Sequence, residues 1–153
     1  MDYNEEATDS VSHALHIYSL MDSYFKAEIL HEHQCSQCSF VGGTEKKLNI
    51  TNAPQLLVLH LSRFTSEFEK IDTFVEFTTE LTSEYIRDGN EQQMRYRLTG
   101  MIRHTRPSIR SGHYISYLFI DGNWYEANDK VMTEVSWQTV RTFNCYMLFY
   151  ERL

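Results

Sequence analysis

The stretch SGHYISYLFIDGNWYEANDKV, residues 111–131, constrains this chain more than any other. Asp121-Gly122 is a dipeptide suited to a two-residue turn in which both central residues take positive φ, and aromatic and β-branched runs flank it. A hairpin of Tyr114–Ile120 and Asn123–Ala127 follows. Its register puts Ile120 opposite Asn123, Ile115 opposite Asn128 and Lys130 opposite His113. Paired side chains share a face, as do residues two apart. His113 and Asn128 are therefore diagonal neighbours on one face, with Asp129 on the other; a bulge would exchange Asn128 for Asp129. An imidazole beside an amide carbonyl is a base held in one tautomer. Gly112 lets another backbone approach closely, as a substrate chain would. A histidine that only steadies an aromatic strand would leave the same pattern. Ile115, Tyr117, Phe119 and Trp124 share the His113 face, while Leu118, Ile120 and Tyr125 fill the other. A sheet apolar on both faces expects two covers.

The remaining chain supplies strands around this hairpin and one helix. From His13 to Leu30, Leu15, Leu20, Tyr24 and Ile29 fall near helical spacing, which predicts a helix over Asp22–Leu30 capped by Ser19 or Asp22. His31–Gly43 carries CxxC and a Gly-Gly pair, so a knuckle or tight turn is expected. Lys47–Ile50 alternates. Gln55–Phe64 is apolar enough for a central strand. Phe74–Phe77, Arg95–His104 and Asn144–Glu151 are further strands, Asp88-Gly89-Asn90 a turn, Thr105–Ser111 a loop, and Val135–Val140 a short helix or turn. The fold class is α+β, dominated by an antiparallel sheet.

Composition narrows the function. Fourteen basic against 21 acidic residues give a formal charge of −7, which argues against nucleic acid as partner. No apolar run reaches the ~20 residues of a membrane helix. Three cysteines, two of them in one CxxC, form no disulfide framework and suit an intracellular setting, cytoplasm or nucleus.

GHYISY, NWYEANDKV and YMLFYER resemble the histidine box and closing strand of the ubiquitin-specific proteases, papain-like cysteine peptidases that cut ubiquitin from its conjugates. Upstream, CSQC followed by KKLNITNAPQLLVLHLSRF resembles that family's finger knuckle and the strand after it. The resemblance spans residues 19–153 and implies a papain-like palm with the end of the fingers and no thumb lobe. Residues 1–12 would be a frayed or truncated start, 13–50 a fingers remnant and 51–153 the palm. It implies that His113 is the general base, Asn128 its orienting partner, and Asp129 an adjacent polar residue assisting the histidine or the oxyanion site. Gly112 and Tyr114 would border the channel for ubiquitin's Gly-Gly tail, whereas His104 and His60 would be structural.

The family's nucleophile motif lies upstream of the knuckle and has no counterpart here. Cys35 and Cys38 belong to the knuckle, and Cys145 to the closing strand, as a small buried thiol. The resemblance thus implies the histidine-box half of a thiol-dependent deubiquitinase, inactive alone without a Cys-box-bearing lobe or chain. The other reading is a catalytically inactive ubiquitin-binding or scaffold module on the same fold. Ubiquitin or a ubiquitinated protein is the partner in both. Cys35 and Cys38 are candidate zinc ligands, with His31 or His33 to complete them. Two thiolates are too few for a closed site, so no cofactor is expected.

Overall fold

A computed structural model describes residues 15–87, 93–105, 108 and 111–153. The acidic start at Met1–Ser12, the turn at Asp88–Asn90 and most of the loop after Thr105 lie outside the described residues. In chain order the elements are β1 (Leu15–His16), α1 (Ile17–Phe25), β2 (Glu28–Gln34), β3 (Val41–Lys46), β4 (Leu56–His60), β5 (Val75–Glu76), β6 (Glu80–Arg87), β7 (Gln93–His104), β8 (Tyr114–Ile120), β9 (Asn123–Asn128), β10 (Val131–Val135), α2 (Trp137–Val140) and β11 (Met147–Arg152).

The helix differs from the expectation. It starts and ends five residues earlier, with the His16 ring accepting from Tyr18 N–H at 3.2 Å as the cap, while Ser19 donates to the His16 carbonyl instead of capping. Its buried stripe is Ile17, Met21 and Phe25, not Leu20 and Tyr24. Ile29 also lies four residues beyond Phe25, so a helical spacing continues past the point where the helix ends. The chain nevertheless turns extended at Lys26, because residues 28–34 find strand partners in β3. Local periodicity yields to cross-strand pairing. Lys47–Ile50 is not a strand; only Ile50 forms a bridge, to Ile86.

The main sheet runs β10-β9-β8-β7-β11-β4, with β6 against the first half of β7 on the side away from β11. The strand expected at the centre, β4, ends this order and, among the described residues, pairs with β11 alone. Its apolar run serves two unequal faces: Leu57 is buried, while Leu56 and Val58 are exposed. Register explains the contrast. Leu59, Leu148, Met101, Tyr117 and Glu126 form one cross-strand row, and Leu148, Met101 and Tyr117 are fully buried. The next row, on the opposite face, is Val58, Phe149, Gly100, Leu118 and Tyr125, where only Gly100 is buried.

The core contains three fully buried tyrosines, each with its hydroxyl satisfied: Tyr96 on the Pro54 carbonyl, Tyr150 on the Thr78 carbonyl and Tyr117 on Glu126. Arg63 is buried without a carboxylate partner in the bonds it makes. Its guanidinium donates to the main-chain carbonyls of Cys145 (3.1 and 3.0 Å), Ile71 (3.3 Å) and Thr73. The segment after β4 is thereby tied to the approach to β11.

Candidate active site

The hairpin of β8 and β9 forms as expected at its turn. Asp121 (φ 49°) and Gly122 (φ 89°) are both left-handed, and pairing runs without a shift from Ile120↔Asn123 to Ser116↔Ala127. Beyond that the register expectation fails. A second turn at Asp129-Lys130, with Asp129 at φ 55°, starts β10, so Asn128 opposes Val131 and Lys130 does not oppose His113. Asn128-Asp129 supplies turn residues for β10, but without a glycine the signal is weaker than at Asp121-Gly122.

His113 enters from the other side. β7 and β8 close at His104↔Tyr114, and the chain between them returns to where it left. Thr105 donates to the His113 carbonyl through its backbone N–H (3.0 Å) and its hydroxyl (3.2 Å). The main chain at His113 is therefore pinned before the side chain is considered. Its ring, half-buried, places Nε2 2.7 Å from Asn128 Oδ1. A carboxamide oxygen only accepts, so Nε2 is the donor, and in the neutral ring the lone pair then sits on Nδ1. The basic atom of that neutral form is thereby defined. Such a group can take a proton from a thiol or a water placed at Nδ1.

The other expected residues are distributed around this pair. Asp129 is exposed on the turn beside Asn128. An open hollow of about 770 Å³ next to it is lined by Glu126, Asn128, Asp129, Lys130, Val131 and Thr133. Tyr114 is 54% exposed, its ring 4.8 Å from His104 and 5.9 Å from Tyr146. The close neighbour of Gly112 is the His104 ring: a Cβ there would lie 1.9 Å from His104 Nε2. Burial, and then the Lys70 ammonium, lower the His104 pKa, with Asp72 partly offsetting them. Below Asn128, burial and the hydrogen bond to Glu126 push Tyr117 up to about 12.

The cysteines sit apart from one another in kind. Cys35 and Cys38 occupy the tip joining β2 to β3, where backbone N–H groups of Cys38 and Gln37, then the Cys38 thiol, lower the Cys35 pKa. Among the described residues no three His, Cys, Asp or Glu side chains converge on a metal position. Two donors do not fit a closed structural zinc site. Cys145 is 1% exposed, and burial raises its thiol pKa, which disfavours the reactive thiolate.

The sequence profile of the ubiquitin carboxyl-terminal hydrolases matches residues 2–150. Ubiquitin carboxyl-terminal hydrolase 23 of Arabidopsis thaliana is 35% identical over 123 residues, 78% of this chain and 14% of that protein. Ubiquitin carboxyl-terminal hydrolase 8 of Saccharomyces cerevisiae is 30% identical over 151 residues, 88% of this chain and 32% of that one. A solved SAGA DUB module containing Ubp8, Sgf11, Sus1 and Sgf73 superposes with a TM-score of 0.80 at 30% identity, covering 94% of this chain and 34% of that one. The same kind of module bound to monoubiquitin gives 0.79 at 30% identity, covering 91% and 33%. The chain spans about a third or less of the relatives it matches. A mostly antiparallel sheet with few helices is the papain-like architecture these structures share.

Proposed function

Because the chain belongs to the ubiquitin carboxyl-terminal hydrolase family, we propose that it supplies the histidine-box half of a thiol-dependent deubiquitinase. The observation that carries this reading is the 2.7 Å contact between His113 Nε2 and Asn128 Oδ1. In the proposed reaction a cysteine from outside these residues gives its proton to His113 Nδ1. The thiolate then attacks the isopeptide carbonyl after ubiquitin's last glycine. As the C–N bond breaks, His113 returns the proton to the departing lysine amine, and water hydrolyses the thioester. Asn128 orients the ring without a charge, and Asp129 stands beside it at the hollow. Gly112 and Tyr114 border the channel for the ubiquitin tail. Residues 13–50 act as the end of the fingers and 51–153 as the palm, in an intracellular protein of cytoplasm or nucleus that needs no cofactor. The burial of Cys145 and the position of Cys35 and Cys38 on the ribbon tip support an external nucleophile. That relatives of this chain were solved with monoubiquitin and ubiquitin aldehyde supports ubiquitin as partner.

A ubiquitin fusion carrying a fluorogenic leaving group tests this. The purified chain is expected to give background turnover, and a Cys-box half added in trans to restore it. His113→Ala should then lower kcat by roughly 10²- to 10⁴-fold, the contribution of a general base. Asn128→Ala should weaken it more than Asp129→Ala. Turnover by the chain alone that disappears with Cys35, Cys38 or Cys145 would overturn the external nucleophile. Ubiquitin binding with no restored turnover would favour the non-catalytic module.

A further inference from the structure

His104 lies one strand-end away from the base and is almost wholly withdrawn from solvent. It is 5% exposed, enclosed by the rings of Phe64 (5.8 Å), Tyr114 (4.8 Å) and Tyr146 (6.1 Å). Lys70 Nζ donates to its carbonyl at 3.0 Å and pairs with Asp72 at 3.2 Å. Packing alone confines the ring, because Lys70 holds the main chain of His104 and the buried Nδ1 makes no hydrogen bond among the described residues. Its Nε2 edge occupies the volume that any side chain at residue 112 would fill.

This contact removes a freedom that the sequence would otherwise leave open. A glycine immediately before a base is a hinge, because nothing on its own Cα restricts φ and ψ. Thr105 holds the carbonyl on the far side of His113, but it does not hold Gly112. A displacement of less than 1 Å at His113 would stretch the 2.7 Å bond to Asn128 past hydrogen-bonding range. We propose that His104 is a positioning residue: its ring, wedged against Gly112, fixes the main chain from which His113 reaches Asn128, and so sets the tautomer of the base. Gly112 and His104 form one unit in which the glycine makes room and the imidazole uses it.

The inference rests on the general-base reading of His113, and the test separates the two. Chain labelled with ¹⁵N-histidine reports each imidazole tautomer through long-range ¹H–¹⁵N correlations, without needing a nucleophile. In the parent, His113 is expected as a single Nε2–H form. His104→Ala should collapse that pattern to the average of exchanging tautomers, while the cooperative thermal transition persists. Gly112→Ala should do the same from the other side, by driving the new methyl into the ring. In the double variant the methyl occupies the space the ring vacated, so the single-tautomer pattern should return in part. If His104→Ala abolishes the thermal transition, Gly112→Ala and the double variant decide. An unchanged His113 tautomer in a folded His104→Ala or Gly112→Ala protein overturns the proposal. Asn128→Ala is the separate control: an unchanged His113 tautomer there sinks the base–amide pair itself, whatever His104 does.

Discussion

Two antiparallel hairpins in this molecule have opposite fates. The β8–β9 hairpin turns in two residues, has β7 on one side and β10 on the other, and buries Ile115, Tyr117 and Trp124. The β2–β3 ribbon turns through a six-residue tip, residues 35–40, and slips register between Leu30 and His33. It pairs with no third strand among the described residues. Ile29, Phe40 and Val41 are exposed there, and its ion pair, Lys46 with Glu28 at 2.6 Å, is in solvent. The same backbone arrangement is thus a load on the sheet in one case and a passenger in the other. Flanking strands and a buried face, not strand pairing alone, make a hairpin part of the cooperative unit.

Substitutions can break that distinction or sharpen it. Tyr117→Ala should cost about 3–5 kcal/mol, since a fully buried aromatic and its hydroxyl partner are lost together. Ile29→Ala in the ribbon should stay within about 0.5 kcal/mol. Equal costs in urea melts would erase the contrast. Alkali should come next in size. Tyr117 is raised from 10.0 to about 12, so the stability it contributes is full below pH 10 and is lost as pH climbs through 12. Tyr117→Phe should flatten that part of the stability–pH curve by up to about 3 kcal/mol, while ribbon variants leave it unaltered. The smallest contrast belongs to two glycines, one in the β8–β9 turn and one in β3. Gly122→Ala places a side chain at φ 89° and should cost about 1 kcal/mol. Gly43→Ala meets only Ile29 Cγ2 at 3.3 Å on an exposed strand and should change stability by less than about 0.5 kcal/mol. A larger penalty at Gly43 than at Gly122 would mean that the ribbon is folded more cooperatively than its burial implies.

The same comparison explains what could be read from the residues. The β8–β9 turn and its register as far as Ser116↔Ala127 were legible because turn chemistry and period-two burial agree there. His113 still meets Asn128, although the pairing expected beyond that point gives way to the Asp129-Lys130 turn. The ribbon has no buried face and so no hydrophobic alternation to read. Ile29, one helical step beyond Phe25, filled the gap with a false helix. β4 was read as central because a continuous apolar run reports two partly covered faces but not the number of neighbouring strands. The His104–Gly112 contact was hidden for a different reason. It depends on the closure of β7 onto β8 at His104↔Tyr114, and a glycine in sequence does not say which group claims its space.

Arg63 shows where this chain can and cannot drift. Its guanidinium is held by the carbonyls of Cys145, Ile71 and Thr73, atoms that every residue possesses. Those three positions can exchange side chains without dissolving the knot, as far as their own packing allows. Position 63 has no such latitude, because only a planar fork spans three separate acceptors and lysine offers a single point charge. A mutational scan should therefore find an immovable arginine beside permissive acceptors, with the thiol of Cys145 dispensable to a cluster that its own backbone helps to build.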